Sequence, residues 1–231
     1  MSARVGILVF ARYDSTRLPG KALRPVGGMP LLERVIRRAQ LCALPVFLAT
    51  TERPSDDALV ALAETLGVQS FRGSSVRVLD RAVLAAEAFR LDAFVRLCGD
   101  RPLFPLDELH HAVAAMRDSA GSEGSGPVDL VTTYRPGVTV RGLTTEVIHT
   151  AALRNLMDQG VSTEQQEHVT TYFYENPNEF RIVEIDSSRV DYTCPGFALD
   201  TVSDLHALNK IFAVSEAIDM SPIEADRKYA E

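Results

Sequence analysis

Short apolar runs alternate with stretches of helical period through the first half of the chain. Residues 5–10 (Val-Gly-Ile-Leu-Val-Phe) are an unbroken apolar run, the pattern of a strand buried on both faces. Residues 30–40 place Leu31, Leu32, Val35 and Ile36 on one helical face, with Pro30 in the first turn. Residues 45–49 predict a second strand. A helix capped by Ser55 or Asp56 then runs to Leu66 and stops at Gly67. A short strand at 69–71, a helix at 76–89, a central strand at 93–97 and a helix at 106–117 complete the series. This alternation predicts parallel β/α units.

Beyond residue 118 the pattern changes. Residues 119–127 are rich in Gly and Ser without an apolar anchor and predict a mobile loop. Residues 128–133 and 138–147 read as strands of mixed polarity, an antiparallel ribbon. Helices are predicted over 151–158 and 163–176, a strand over 180–185, and a closing helix from Ser203 to about 215. The polar tail past Met220 predicts no element. No repeat or linker divides the chain, so residues 1–231 are expected to form one domain.

The chemistry concentrates where the first strand ends. Residues 11–21 read Ala-Arg-Tyr-Asp-Ser-Thr-Arg-Leu-Pro-Gly-Lys, with two guanidiniums, an ammonium, two hydroxyls and a Pro-Gly turn. Fixed cations on a loop that allows close backbone approach suit a polyphosphate. Lysine occurs at positions 21, 210 and 228 alone, and the rest of the 24 basic residues are arginine. A lysine kept in such a turn therefore points to a compact ammonium with a specific partner. The loop is not a Walker A motif: Ala22 follows Lys21, and no helix is predicted before Pro30.

Composition narrows the partners. A net charge of −7 and a pI of about 5.3 exclude broad attraction to nucleic acid or anionic membranes, so a local cationic loop fits a small anion. Cys42, Cys98 and Cys194 share no metal spacing, and two sit in apolar runs, as thiols of a reducing compartment do. With no leader pattern and no bilayer-length apolar stretch, the expected location is the cytoplasm.

Asp100 directly follows the strand at 93–97. In open parallel sheets the strand C-termini line the ligand crevice, so a carboxylate there is placed to hold a divalent cation against phosphates. Its alternative role is an Asp-initiated turn before Pro102. Asp200 sits beside Thr201 and Asp204, whose spacing already makes a capping box, which leaves Asp200 available for a ligand. Asp100 and Asp200 then become a candidate pair for one magnesium ion. Glu167-His168-Val169-Thr170 falls inside a predicted helix, with Ser162 and Gln165 as its capping box. Arg135 and Arg141, next to Gly137 and Gly142, are either contacts for an anionic acceptor or solvated charges.

Taken in order, these segments resemble the CTP-dependent sugar cytidylyltransferases, which include the CMP-KDO and CMP-acylneuraminate synthetases. The likeness is greatest to the spore-coat-polysaccharide branch. It is carried by Arg12 through Lys21, by Gly27-Gly28-Met29-Pro30-Leu31-Leu32, and by Ala49-Thr50-Thr51 with Ser55-Asp56-Asp57. Phe71-Arg72-Gly73-Ser74, Val78-Leu79-Asp80-Arg81, Gly99-Asp100-Arg101-Pro102, Glu167-His168-Val169-Thr170 and Leu199-Asp200-Thr201 complete it. The resemblance implies a Rossmann-like α/β fold, a mostly parallel sheet flanked by helices, and a small dimerisation ribbon at about 132–147 and 180–190. It implies a homodimer that transfers CMP from CTP to a small anionic sugar acid and releases pyrophosphate.

On that resemblance Arg12, Arg17, Lys21 and Asp100 are catalytic, and Mg²⁺ rests on Asp100 and Asp200. The nucleotide lies against Ala11, Arg12, Ser15, Lys21, Thr50, Arg72, Gly73 and Ser74. Arg101, Arg141, Glu146 and His168 face the acceptor. Arg77, Arg101 and Thr144 depart from the family pattern near that acceptor, which keeps a second acceptor class open, a sugar or alcohol phosphate. A non-catalytic nucleotide-binding protein is the third reading.

Overall fold

The computed structural model describes residues 3–119, 127–186, 191–214 and 217–230. The apolar run becomes β1 (Val5–Phe10), and the glycine pair Gly27-Gly28 turns a two-residue hairpin between β2 (Pro25–Val26) and β3 (Met29–Pro30). Then follow α1 (Leu31–Gln40), β4 (Val46–Thr51), α2 (Asp57–Thr65), β5 (Gln69–Gly73), α3 (Val78–Ala88), β6 (Ala93–Cys98) and α4 (Leu106–Ser119). The later elements are β7 (Leu130–Thr132), β8 (Glu146–His149), α5 (Thr150–Gln159), α6 (Thr163–Glu167), α7 (Thr171–Glu175), β9 (Ile182–Glu184), α8 (Val202–Val214) and α9 (Pro222–Ala230).

The main sheet has seven strands in the order β5-β4-β1-β6-β8-β7-β9. All neighbours pair in parallel except those of β8, which runs against both β6 and β7. Side chains alternate across it as strand geometry requires. Ile7 and Val9 belong to a core shared with α1, α2, α4 and α8, whereas Leu8, Phe94 and Ile148 pack with α3 and α5 on the other face. From β1 the chain moves outward to β4 and β5, then returns to β6 on the other side. The β1/β6 boundary is thus a topological switch point, where the strand ends open a crevice.

Three expectations are corrected, and one stretch left unassigned gains an element. The stretch 138–147 is not one strand: Val138 and Thr139 both bond back to the carbonyl of Arg135, and Gly142 sits at φ +96°, so the backbone is consumed in turns until Glu146. The helix predicted over 163–176 is two, broken at His168 (φ −104°, ψ 80°). That break lets Val169 enter the core fully and carries Thr170 to Glu146. Asp56 caps nothing: a 3₁₀ turn Pro54–Asp56 precedes α2, and the carboxylate turns back onto Thr50 and Thr51. The polar tail holds α9.

The stretches marked for a ribbon fall on the β7–β8–β9 end of the main sheet, with residues 187–190 outside the described ones. The loop expected at 119–127 likewise lies outside the described residues, apart from its two ends. The Ser162–Gln165 capping box forms in full.

On α4, Glu108 has a buried Oε2 with no hydrogen-bond partner. Burial, then the neighbouring Asp107, push its carboxyl up to about 7. The folded state therefore holds this proton more tightly than the unfolded chain. Its contribution to stability is present below the unfolded pKa and is lost as pH rises from there through about 7. Glu108→Gln removes the late ionisation. Because the group is half-buried, the effect is discounted for solvent screening to ~1 kcal/mol, or about 2–4 °C in Tm. The variant should match wild type near pH 5 and melt higher at pH 8.5. An offset equal at both pH values would show that Glu108 does not titrate late.

Candidate active site

The loop after β1 is held by its own backbone and by Asp56. Ser15 N and Gly20 N both donate to the carbonyl of Tyr13, and Tyr13 N donates to Asp56 Oδ1 at 2.7 Å. Gly20 takes φ +68°, a left-handed conformation that a glycine adopts without strain, and Leu18 and Ala22 are buried as anchors. With the loop fixed at these points, the side chains between them project into a cleft at the β1/β6 switch point. The cleft encloses about 540 Å³, within the range of small-molecule sites.

Lys21 is its centre. Its Nζ donates to Asp100 Oδ2 at 2.6 Å, to Asp200 Oδ1 at 2.9 Å and to the carbonyl of Leu199 at 2.9 Å. Arg17 Nη2 approaches the same Asp200 oxygen at 3.0 Å. Burial pulls the Lys21 ammonium down, but the two carboxylates outweigh it and hold its pKa above the ordinary value. Burial pushes Asp200 up, while Lys21 and Arg17 hold it below the usual carboxylate range. Both groups are thus charged at neutral pH.

Asp200 reaches this point because the segment before it threads through the fold. Phe197 N donates to the carbonyl of Arg141, and Leu199 N to that of Asp100. Gly142 makes room, since a Cβ there would lie 2.6 Å from the Phe197 backbone. Asp204, not Asp200, serves the helix end, accepting from Thr201 N at 2.8 Å and Asp200 N at 2.9 Å.

Asp100 and Asp200 present hard oxygen donors to one cationic nitrogen. The place is therefore built for a cation, and its chemistry fits magnesium. Among the described residues no cluster of three or more His, Cys, Asp or Glu has metal-binding geometry. A metal would take these two carboxylates together with phosphate oxygens and water.

Of the remaining residues marked in the sequence, Ala11, Arg12, Ser15 and His168 also line the cleft. Arg12, on the loop after β1, approaches Glu167, the last residue of α6, at 3.6 Å. Thr50 does not line it: the side chain is buried and its hydroxyl donates to Asp56 Oδ2. Arg72 lies outside as well, with Nε on the carbonyl of Thr51, Nη1 on Asp57 and Nη2 on the carbonyl of Arg53. Gly73 ends β5, and Ser74 Oγ accepts from the backbone at Val76 and Arg77 beside α3.

The acceptor candidates do not form one cluster, and Arg141 Nη1 also reaches Asp200 Oδ2 at 3.4 Å. Arg141 is held by Asp204 and the carbonyl of Ala198, Arg101 by the carbonyl of Thr144, and Arg135 by Asp186. Glu146 is buried behind the cleft wall, accepting from Arg96 Nη1 at 2.7 Å and from the Tyr174 hydroxyl at 2.8 Å. Burial pushes Glu146 up, and the Arg96 and Arg101 charges bring it below its ordinary value.

Two guanidiniums that sequence reasoning missed, Arg81 and Arg96, face the cleft. Each is a charge within an otherwise apolar stretch, Arg96 in the strand Ala93–Cys98 and Arg81 beside Ala82 and Val83. That conflict with a buried setting was the available signal.

A family model described as "Cytidylyltransferase" matches residues 6–213. The chain is 31% identical over 227 residues to the spore coat polysaccharide biosynthesis protein SpsF of Bacillus subtilis, across 94% of this chain and 90% of that one. It superposes on a cytidylyltransferase from Leptospira borgpetersenii with a TM-score of 0.88 at 28% identity, covering 97% of this chain and 93% of the other. A CMP:2-keto-3-deoxy-manno-octonic acid synthetase solved with CTP shares the fold, with a TM-score of 0.68 at 19% identity over 92% of this chain and 99% of that one.

Proposed function

This chain belongs to the cytidylyltransferase family, and on that footing we propose that it transfers CMP from CTP to a sugar acid and releases pyrophosphate. The observation that carries this reading is Lys21 bridging Asp100 and Asp200 in a cationic cleft at the ends of β1 and β6. The acceptor hydroxyl attacks the α-phosphorus in line; its new O–P bond forms as the bond to the β-phosphate oxygen breaks, pyrophosphate leaves, and the hydroxyl proton is released to water. Lys21, Arg17 and Arg12 hold the negative charge of the triphosphate and of the departing pyrophosphate. Magnesium on Asp100 and Asp200 would supply Lewis-acid neutralisation of phosphate oxygens.

The SpsF relationship supports a role in surface-polysaccharide synthesis, and the fold shared with a sugar-acid synthetase supports the acceptor class. A sugar-phosphate acceptor would require a second basic cluster. The candidates for one are otherwise engaged: Arg77 pairs with Asp80 at 2.7 Å, Arg101 holds a carbonyl and Arg141 holds Asp204. The proposed reading includes a homodimer.

The test is pyrophosphate release from CTP and magnesium over a panel of acceptors, with other nucleoside triphosphates as controls. Release that requires a 2-keto sugar acid supports the reading. Release only with sugar or alcohol phosphates would replace the acceptor class.

A further inference from the structure

Arg96 is held from behind and open in front. It stands on the face of β6 that carries Phe94 into the core, two residues farther along, where the strand reaches the cleft. The pairing of Val95 with Val147 sets Glu146 beside it on the antiparallel neighbour β8. Arg96 Nη1 donates to Glu146 Oε2 at 2.7 Å, and the two side chains are 15% and 4% exposed. The carboxylate is then fully used: Oε1 accepts from the Tyr174 hydroxyl at 2.8 Å, and Thr170 adds a further hydrogen bond. Glu146 therefore does not itself face the acceptor, as the resemblance implied. It fixes a guanidinium that does.

Among the described residues no group takes Nε or Nη2 of Arg96, and neither nitrogen is enclosed. These two nitrogens form one edge of the planar guanidinium, so a complete fork of donors remains for a molecule in the cleft. The charge at this corner suits a monoanion. The charge of Arg101 also acts on the Glu146 carboxyl, while its Nη1 holds the carbonyl of Thr144. Two guanidiniums thus share one carboxylate, which leaves one positive charge. Lys21, Arg17 and Arg12 come instead from the loop after β1 and meet Asp100, Asp200 and Glu167.

Resting on the sugar-acid reading above, we propose that Arg96 receives the acceptor's carboxylate in a bidentate pair through Nε and Nη2, with Glu146 as its positioning residue. In the ring form of a 2-keto sugar acid, the carboxylate and the attacking hydroxyl share one carbon. A fork that grips the first therefore also aims the second at the α-phosphorus.

The test is steady-state pyrophosphate release with CTP and magnesium, using the most active 2-keto sugar acid of the acceptor panel and the carboxamide of that sugar. Wild type, Arg96→Lys, Arg96→Gln and Glu146→Gln are compared, with thermal melts of each. Arg96→Lys keeps a cation over Glu146 but loses the fork. It should lower kcat/KM for the acid on the order of 10- to 100-fold, the worth of hydrogen bonds to a charged group, and leave KM for CTP nearly unchanged. Arg96→Gln should lose at least as much and narrow the wild-type preference for the acid over the carboxamide. Glu146→Gln should likewise weaken use of the acid and spare CTP, a split that a merely structural role would not produce. A wild type that uses the carboxamide as well as the acid would overturn the proposal, whatever the variants do. So would a folded Arg96→Lys with wild-type kcat/KM for the acid. An equal loss toward CTP and the acid would move Arg96 to the nucleotide. If wild type accepts no sugar acid at all, the sugar-acid reading fails and the proposal with it. If it uses the acid and the Arg96 variants keep its kinetics, the role of Arg96 alone falls.

Discussion

Lys21→Ala should remove most turnover, by about 10²–10³-fold, the usual effect of deleting one donor that stabilises developing charge. The fold should survive, because the loop keeps its anchors at Leu18 and Ala22 and its backbone bonds to Tyr13. The ligand-free protein nevertheless changes. Asp100 and Asp200 now meet through one ammonium, and without it Asp100 loses its cation and faces an Asp200 offset by Arg17 and Arg141 alone. Magnesium alone should therefore raise the melting temperature of Lys21→Ala more than that of wild type. Steady-state rates of pyrophosphate release and melts with and without magnesium check both halves. A folded variant with wild-type turnover would remove Lys21 from the chemistry.

The second large effect concerns the carboxylates. Asp100→Asn and Asp200→Asn each replace an anionic oxygen by a neutral amide of the same shape. Losing part of a metal's hold on phosphate is worth several kcal/mol, so each variant should lose about 10²-fold or more in turnover and need more magnesium for half-maximal rate. The helix end beside Asp200 offers an internal control. Thr201 and Asp204 carry the cap, with Asp204 Oδ2 accepting from Thr201 N, so Asp200→Asn should leave α8 intact. If Asp200→Asn only lowered the melting temperature and kept full activity, Asp200 would be a structural residue and the metal would rest elsewhere. Magnesium titrations of initial rate, set beside melts of the same proteins, separate the two.

Much of this site was legible because strand ends are. An apolar run followed at once by a charge marks the crevice of a parallel sheet, and that rule found both Lys21 and Asp100. Asp200 was legible for a different reason: its neighbours already accounted for the cap. What the chain concealed were residues whose partners lie far away in sequence. Arg34 and Arg38 on α1 have the spacing of a solvated face, yet both are 1% exposed. Arg34 holds the carbonyls of Val26 and Gly27 and stacks on Phe212 at 3.9 Å, and Arg38 holds those of Phe104 and Ile218. Helical period alone does not distinguish such an arginine from an exposed one.

The break at His168 escaped notice for the same reason. Residues 163–176 keep helical period across it, and only the core position of Val169 and the contact of Thr170 with Glu146 require the chain to turn. The strand assigned over 138–147 failed at Gly142, whose positive φ answers to the backbone at Phe197, more than 50 residues along the chain.

The most direct measurement is a crystal structure with magnesium and a non-hydrolysable CTP analogue. The predicted result has the triphosphate within hydrogen-bond reach of Lys21 and Arg17, with the metal on Asp100 and Asp200. A nucleotide bound elsewhere, for example against Arg72 on the outer edge of the sheet, with Lys21 still bridging the two aspartates, would contradict it.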